Sequence, residues 1–144
     1  MRLPRSISGW TIAVFGFLAF ALGLFGLLRS DDLLGLLGFE VVERRGPGDY
    51  TKVYMAASSM AAVNMGVYYL LAAATDWTPF FRWTVPWRMV TFVVFTTLVV
   101  TGAAPAEFVG VGVWEGLGAL VTGLALWREG KLFQRSSERR PATR

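Results

Sequence analysis

Four long apolar stretches constrain the fold of this chain more than any other feature of its sequence. They cover approximately residues 10–28, 51–74, 85–102 and 106–127. An α-helix needs about 20 residues to cross the roughly 30 Å hydrocarbon core of a bilayer, and each stretch has about that length. The sequence therefore predicts an all-α, polytopic membrane protein whose four transmembrane helices form an antiparallel bundle.

The composition of the 144 residues supports a single membrane domain. Hydrophobic residues make up 54% of the chain and charged residues 17%, and the charges are confined to a few clusters. We expect residues 1–130 to form one four-helix transmembrane domain and residues 131–144 to form a polar, basic, frayed cytoplasmic tail. The net charge of +4 comes largely from the chain ends. It indicates membrane orientation and contact with anionic lipid rather than nucleic-acid binding.

The chain contains neither cysteine nor histidine. Disulfides, thiolate chemistry and iron–sulfur or haem ligation by these residues are therefore excluded. We expect no metal and no cofactor.

The distribution of lysine and arginine predicts the orientation of the spans. Basic residues occur at the N-terminus, between the second and third spans and in the tail, but not in the turn "GAAPAE". By the positive-inside rule this favours a multi-pass protein of the inner (plasma) membrane with both termini inside. The first loop opposes this orientation in part, because it also carries basic residues: Arg29, Arg44, Arg45 and Lys52.

The loops on the two sides differ in character. The stretch "SDDLLGLLGFEV" begins with a capping residue, Ser30 or Asp31, and predicts a short interfacial helix in the first loop. Its apolar face would consist of Leu33, Leu36, Leu37 and Val41. On the other side, "DWTPFFRWTVPWR" is rich in aromatic residues and predicts a loop at the headgroup level.

Small residues in the spans predict where the helices approach each other closely. They are Gly9, Gly16 and Gly23 in the first span, Ala57 and Ala61 in the second, and Gly112, Gly116, Ala119 and Gly123 in the fourth. One of these stripes serving as an interface in a homo-oligomer remains an open alternative.

Polar side chains inside the spans are the candidate functional residues. A carboxylate near the centre of a span costs a few kcal/mol on insertion scales, so its presence at position 115 calls for a functional or structural role. Its depth and helical phase suggest one interior track, in which Glu115 acts as the acid, Asn64 and Tyr68 orient a substrate and Arg88 steadies negative charge. The supporting polar residues are Thr96, Thr97, Thr122 and Tyr69.

Each candidate also has a structural interpretation. The threonines, Asn64 and Tyr68 would then hydrogen-bond neighbouring helices or their own backbone, and Glu115 would be a structural carboxyl. Arg88 would extend to the inner headgroups. With the third span starting at Val85, the levels of Arg88 and Glu115 differ by ~12 Å, so we expect no direct salt bridge between them.

Three functions remain open on this basis. The first is binding of a lipophilic small molecule around Glu115, extended to cofactor-independent acid–base catalysis such as isomerisation, cyclisation or epoxide opening. The second is an accessory subunit of a larger membrane complex, with no reaction of its own. The third is a proton-coupled small oligomeric transporter. Membrane lipid is a partner in all three.

Four sequence segments resemble those of the small bacterial four-helix membrane proteins grouped as BphX-like. They are "NMGVYYLLAA" in the second span, "RWTVPWRMV" at the start of the third, the "GAAP" turn, and "VWEGLGAL" with its acid in the fourth. The resemblance covers about half of the chain and implies a four-helix architecture without implying a chemistry. The positions that match the pattern are Asn64, Tyr69, Arg88 and Glu115.

Overall fold

The computed structural model describes residues 3–132, which contain five α-helices and no strand. The helices are α1 (Ile7–Leu28), α2 (Ser30–Leu36), α3 (Thr51–Ala74), α4 (Thr78–Val100) and α5 (Val109–Arg128), and a 3-10 turn, Ala106–Phe108, leads into α5. Helices α1, α3 and α4 and the stretch Ala106–Arg128 are each long and apolar enough to cross a membrane. Nearly all of the tail predicted for residues 131–144 lies outside the described residues.

Helix α4 begins seven residues before the predicted start of the third span. We expected the aromatic segment before Val85 to be a loop, and this expectation was wrong. Proline is compatible with the first turn of a helix, so Pro79 favours the start at Thr78 rather than opposing it. The helix continues through Pro86, with Thr84 and Arg88 buried on either side of it.

The short helix predicted in the first loop is present as α2, but it is shorter than its apolar pattern suggested. Gly38 has a φ of 80°, and the Phe39 N–H donates to the Leu34 carbonyl over 3.0 Å. This is the hydrogen bond of a glycine-terminated helix. Val41 therefore lies beyond α2, and the residue that α2 buries is Leu34.

Helix α1 is the central element of the structure. It packs along α3 on one side and against α5 on the other, while α4 packs mainly on α5. Helices α3 and α4 follow each other in the chain but make little contact. An open side therefore remains between α3 and α4.

Glycines allow α1 and α3 to pack backbone against backbone, as the first-span stripe predicted. A Cβ on Gly16 would lie 3.1 Å from the Gly66 carbonyl oxygen, and one on Gly23 would lie 2.7 Å from the Ser59 carbonyl oxygen. In contrast, Ala57 and Ala61 are exposed, so they do not form a close-approach seam within this bundle.

Two carboxylates hold the N-terminus of α1. Asp76 accepts hydrogen bonds from the Arg5 N–H (2.9 Å) and from Ser6 Oγ (2.5 Å). Glu129 accepts from the N–H and Oγ of Ser8 at 3.0 and 2.7 Å. Asp76 has a φ of 47°, a left-handed conformation that is uncommon outside glycine. These hydrogen bonds therefore join the C-terminal ends of α3 and α5 to the N-terminus of α1.

The two carboxyl groups titrate at lower pH than free carboxyls. Burial raises the pKa of Asp76, but the hydrogen bonds from Ser6 and Arg5 lower it by more, so that it lies below its ordinary value of 3.8. Burial also raises the pKa of Glu129, and the hydrogen bonds from Ser8 and Lys131 bring it below its ordinary value of 4.5.

We predict that this anchor makes the protein sensitive to acid. Because both folded pKa values lie below the unfolded values, the bonds contribute fully above about pH 5, and the contribution is lost as the pH falls through the folded values. Thermal unfolding in detergent at several pH values measures this. The double variant Asp76→Asn/Glu129→Gln should be less stable near neutral pH and should lose less stability on acidification. An equally steep acid dependence in the variant would contradict the assignment.

Candidate functional site

An ion pair between α4 and α5 lies near the middle of both helices. Arg88 Nε donates to Glu115 Oε2 over 2.8 Å. The arginine is only 4% exposed, and the side chain of the glutamate is 22% exposed. A buried charge is tolerated when it has an opposite charge at hydrogen-bond distance, and each residue provides this for the other.

The direct contact corrects two expectations about Arg88. It neither extends to the headgroups nor stays apart from Glu115. Since α4 starts at Thr78, Arg88 lies ~15 Å along the helix from that end rather than near it. Measured from the turn between α4 and α5, Arg88 and Glu115 lie at ~18 and ~13 Å, a difference that two long side chains span easily.

The guanidinium of Arg88 is enclosed by residues of three other helices, α1, α3 and α5. Its central carbon lies 4.0 Å from the centre of the Phe15 ring of α1, and the Tyr69 ring centre of α3 is 5.9 Å away. On α5 it rests against Gly118, where any Cβ would collide with the guanidinium. Phe15 also packs edge-on against Trp114, with ring centres 4.4 Å apart. Phe15, Trp114 and Gly118 were not among the site residues predicted from the sequence.

The hydrogen-bonding capacity of the guanidinium is only partly used. Arginine carries five N–H donors. The buried Nη1 has no acceptor among residues 3–132. A buried donor without an acceptor costs free energy, and Arg88 borders the cleft, so an acceptor that reached the guanidinium from there would be stabilised.

A cleft of about 340 Å³ opens beside the ion pair. Arg88 and Glu115 form part of its wall, and the cleft lies where α3 and α4 separate. Among the described residues, the remainder of its lining is apolar or aromatic apart from one threonine. These lining residues are Phe15, Ala19, Ala62, Met65, Tyr69, Trp87, Thr91, Phe95 and Trp114. The volume is within the range of small-molecule sites.

The structure brings together only some of the predicted site residues of α3. Asn64 is exposed and Tyr68 is 55% exposed, so both lie away from the ion pair, whereas Tyr69 is 8% exposed and lines the cleft. The spacing of residues in α3 indicates that Tyr69 rather than Tyr68 faces the interior. Gly66, Tyr69 and Ala73 share a face by their spacing of three and four, and the small residue Gly66 marks that face as the packed one.

The three predicted threonines have separate surroundings. Thr96 lies next to Gly112 at the α4–α5 contact. Thr97 is exposed and donates to its own helix, to the Val93 carbonyl over 2.7 Å. Thr122 is fully buried, and its Oγ1 lies 3.0 Å from Thr11 Oγ1 on α1. The single interior track expected from the sequence is therefore reduced to Arg88, Glu115 and Tyr69 beside the cleft.

Metal ligands and known relatives add no further assignment. Within residues 3–132, no three aspartate or glutamate side chains are grouped so that they could hold a metal ion. Comparisons of the chain with protein-family models, curated proteins and solved structures found no match. The BphX-like resemblance thus stays a prediction from the sequence.

We predict that removing both charges of the ion pair destabilises the protein much less than removing Glu115 alone. Glu115→Leu leaves a buried guanidinium unpaired and should destabilise the protein by about 3–5 kcal/mol. Arg88→Met/Glu115→Leu removes both charges at similar volume and should unfold close to the wild type. Unfolding of both variants in the same lipid-like micelle measures the difference. Equal destabilisation by the single and the double change would argue against a buried ion pair.

Proposed function

We propose that this protein is a membrane protein that binds a lipophilic small molecule, which enters the cleft between α3 and α4 and contacts the Arg88–Glu115 pair. The observation that carries the proposal is the position of this buried ion pair in the wall of an apolar cleft. A purely structural ion pair has no need of an opening beside it.

The proposal includes the membrane topology. The four apolar helices cross the inner membrane as an antiparallel bundle with both termini inside. The order of the α1–α3 pairs supports opposite directions, because Gly16 meets Gly66 whereas the later Gly23 meets the earlier Ser59. In this arrangement the Arg88–Glu115 pair lies at the depth of the acyl chains.

The cleft then opens sideways to the lipid rather than to water. Its walls are formed by the middle parts of helices, and it lies beyond the Tyr69–Phe80 ring contact, where α3 and α4 separate. A molecule dissolved in the acyl chains would reach it without crossing an aqueous phase. The aromatic lining residues Phe15, Phe95 and Trp114 provide the apolar surface that such a ligand would bury.

We predict that filling the cleft abolishes ligand binding without affecting the fold. Ala19→Phe places a ring in the cleft, and Ala21→Phe adds the same ring at an exposed position of α1. The wild type and both variants are purified in native lipid, and small molecules that copurify are identified by mass spectrometry. The wild type and Ala21→Phe should retain a lipophile that Ala19→Phe lacks. The same small molecules in all three samples would contradict the proposal.

A second candidate is an accessory subunit that associates through α3, and the position of Asn64 favours it. A polar side chain that is exposed halfway along an apolar helix favours a partner helix in the membrane. Asn64 lies on an exposed face with Ala57, Ala61 and Tyr68. The same mass spectra distinguish the candidates, because an accessory subunit copurifies with another protein and retains it in Ala19→Phe.

A further inference from the structure

The charge balance of the cleft wall constrains the electrical character of its ligand. Arg88 and Glu115 form an ion pair at 2.8 Å, so the polar part of the cleft wall carries no net charge that could attract an ionic ligand. An anionic ligand would compete with Glu115 for the guanidinium and would itself have to leave water. Among residues 3–132, no other charged residue lines the cleft. A neutral molecule therefore fits this site better than an acid or a phosphate.

The unused donors of Arg88 constrain the polar group of the ligand. Nε is occupied by Glu115, and the buried Nη1 has no acceptor among the described residues. A group that accepts hydrogen bonds without needing to donate one, such as a carbonyl oxygen, complements this deficit. Hydrogen bonds from a charged donor are about twice as strong as neutral ones, so a single carbonyl would contribute measurably to affinity.

We propose, on the basis of the binding function above, that the ligand is a neutral, lipophilic carbonyl compound whose oxygen accepts a hydrogen bond from the guanidinium of Arg88. Its apolar body lies against the aromatic lining of the cleft, and Glu115 holds the guanidinium in place. Arg88 is the residue that determines specificity.

Two sources of carbonyl oxygen have to be distinguished, namely the ester groups of phospholipids and a separate lipophilic molecule. The ester groups border the hydrocarbon core, whereas Arg88 lies ~15 Å along its helix from the nearer end. A phospholipid ester would have to be drawn about half a core thickness inward to reach it. The depth therefore favours a separate molecule.

The experiment uses three fused-ring probes of nearly the same size. Fluorenone carries a carbonyl, fluorene carries a methylene at the same position, and fluorene-9-carboxylate carries an anion. Binding is measured for the full chain in bilayer discs of ether-linked phosphatidylcholine, which has no ester carbonyl, and again in ester-linked lipid. The infrared band of the fluorenone carbonyl reports whether it accepts a hydrogen bond. Arg88→Met/Glu115→Leu serves as the variant, because it removes the donor without leaving an unpaired charge.

The proposal predicts that the wild type binds fluorenone at least about tenfold more tightly than fluorene or the carboxylate, as a hydrogen bond from a charged donor implies. The carbonyl band should shift to lower frequency in the wild type but not in the double variant, which should bind fluorenone and fluorene equally. Affinity should be the same in both lipids.

Different failures have different meanings. Equal binding of fluorenone and fluorene by the wild type would overturn the carbonyl assignment and leave the proposed binding function intact. If fluorenone binds more tightly in ether-linked than in ester-linked lipid, a phospholipid ester competes for the site. That result would overturn the proposal of a separate ligand. Absence of binding by all three probes would contradict the proposed function and the carbonyl assignment together.

Discussion

The ion pair between Arg88 and Glu115 is the interaction on which the arrangement of this site depends. Either charge alone would be costly among apolar helices, but the two at 2.8 Å satisfy each other and join α4 to α5. Their contact also requires a small residue beneath the guanidinium, which Gly118 supplies, and an aromatic face above it, which Phe15 supplies. The pair thus fixes the relative position of three helices.

The packing of α1 explains why a cleft exists beside the pair. Close contact at Gly16 and Gly23 draws α3 onto one side of α1, while α5 occupies the other and carries α4 with it. At one end, Asp76 and Glu129 tie the ends of α3 and α5 to the start of α1. Because α3 and α4 are each fixed to other helices, they meet only near their connecting turn, at Tyr69 and Phe80, and the space beyond that contact becomes the cleft.

The sequence predicted the helices better than it predicted their contacts. Apolar length was sufficient to place α3 at Thr51–Ala74, and glycine spacing was sufficient to predict close approach by α1. The start of α4 was missed because two prolines and many aromatic residues are typical of an interfacial loop, whereas the helix runs from Thr78 with Thr84 and Arg88 buried. That error in turn separated Arg88 from Glu115. The prediction placed Tyr68 in the interior because it shares a helix face with Asn64. Tyr69 is the buried one of the two, because it shares a face with Gly66, where α3 packs on α1.

The distance between the two charges in a bilayer tests the account most directly. Magic-angle-spinning NMR of protein with ¹⁵N-labelled arginine and ¹³C-labelled glutamate measures it in lipid, and the spectrum of Arg88→Met/Glu115→Leu is subtracted to isolate the pair. The account predicts a dipolar coupling between the Arg88 side-chain nitrogens and Glu115 Cδ that corresponds to about 4 Å or less, as a 2.8 Å hydrogen bond requires. A difference spectrum without this coupling would show that the two residues do not meet in the membrane, and it would contradict the site built on them.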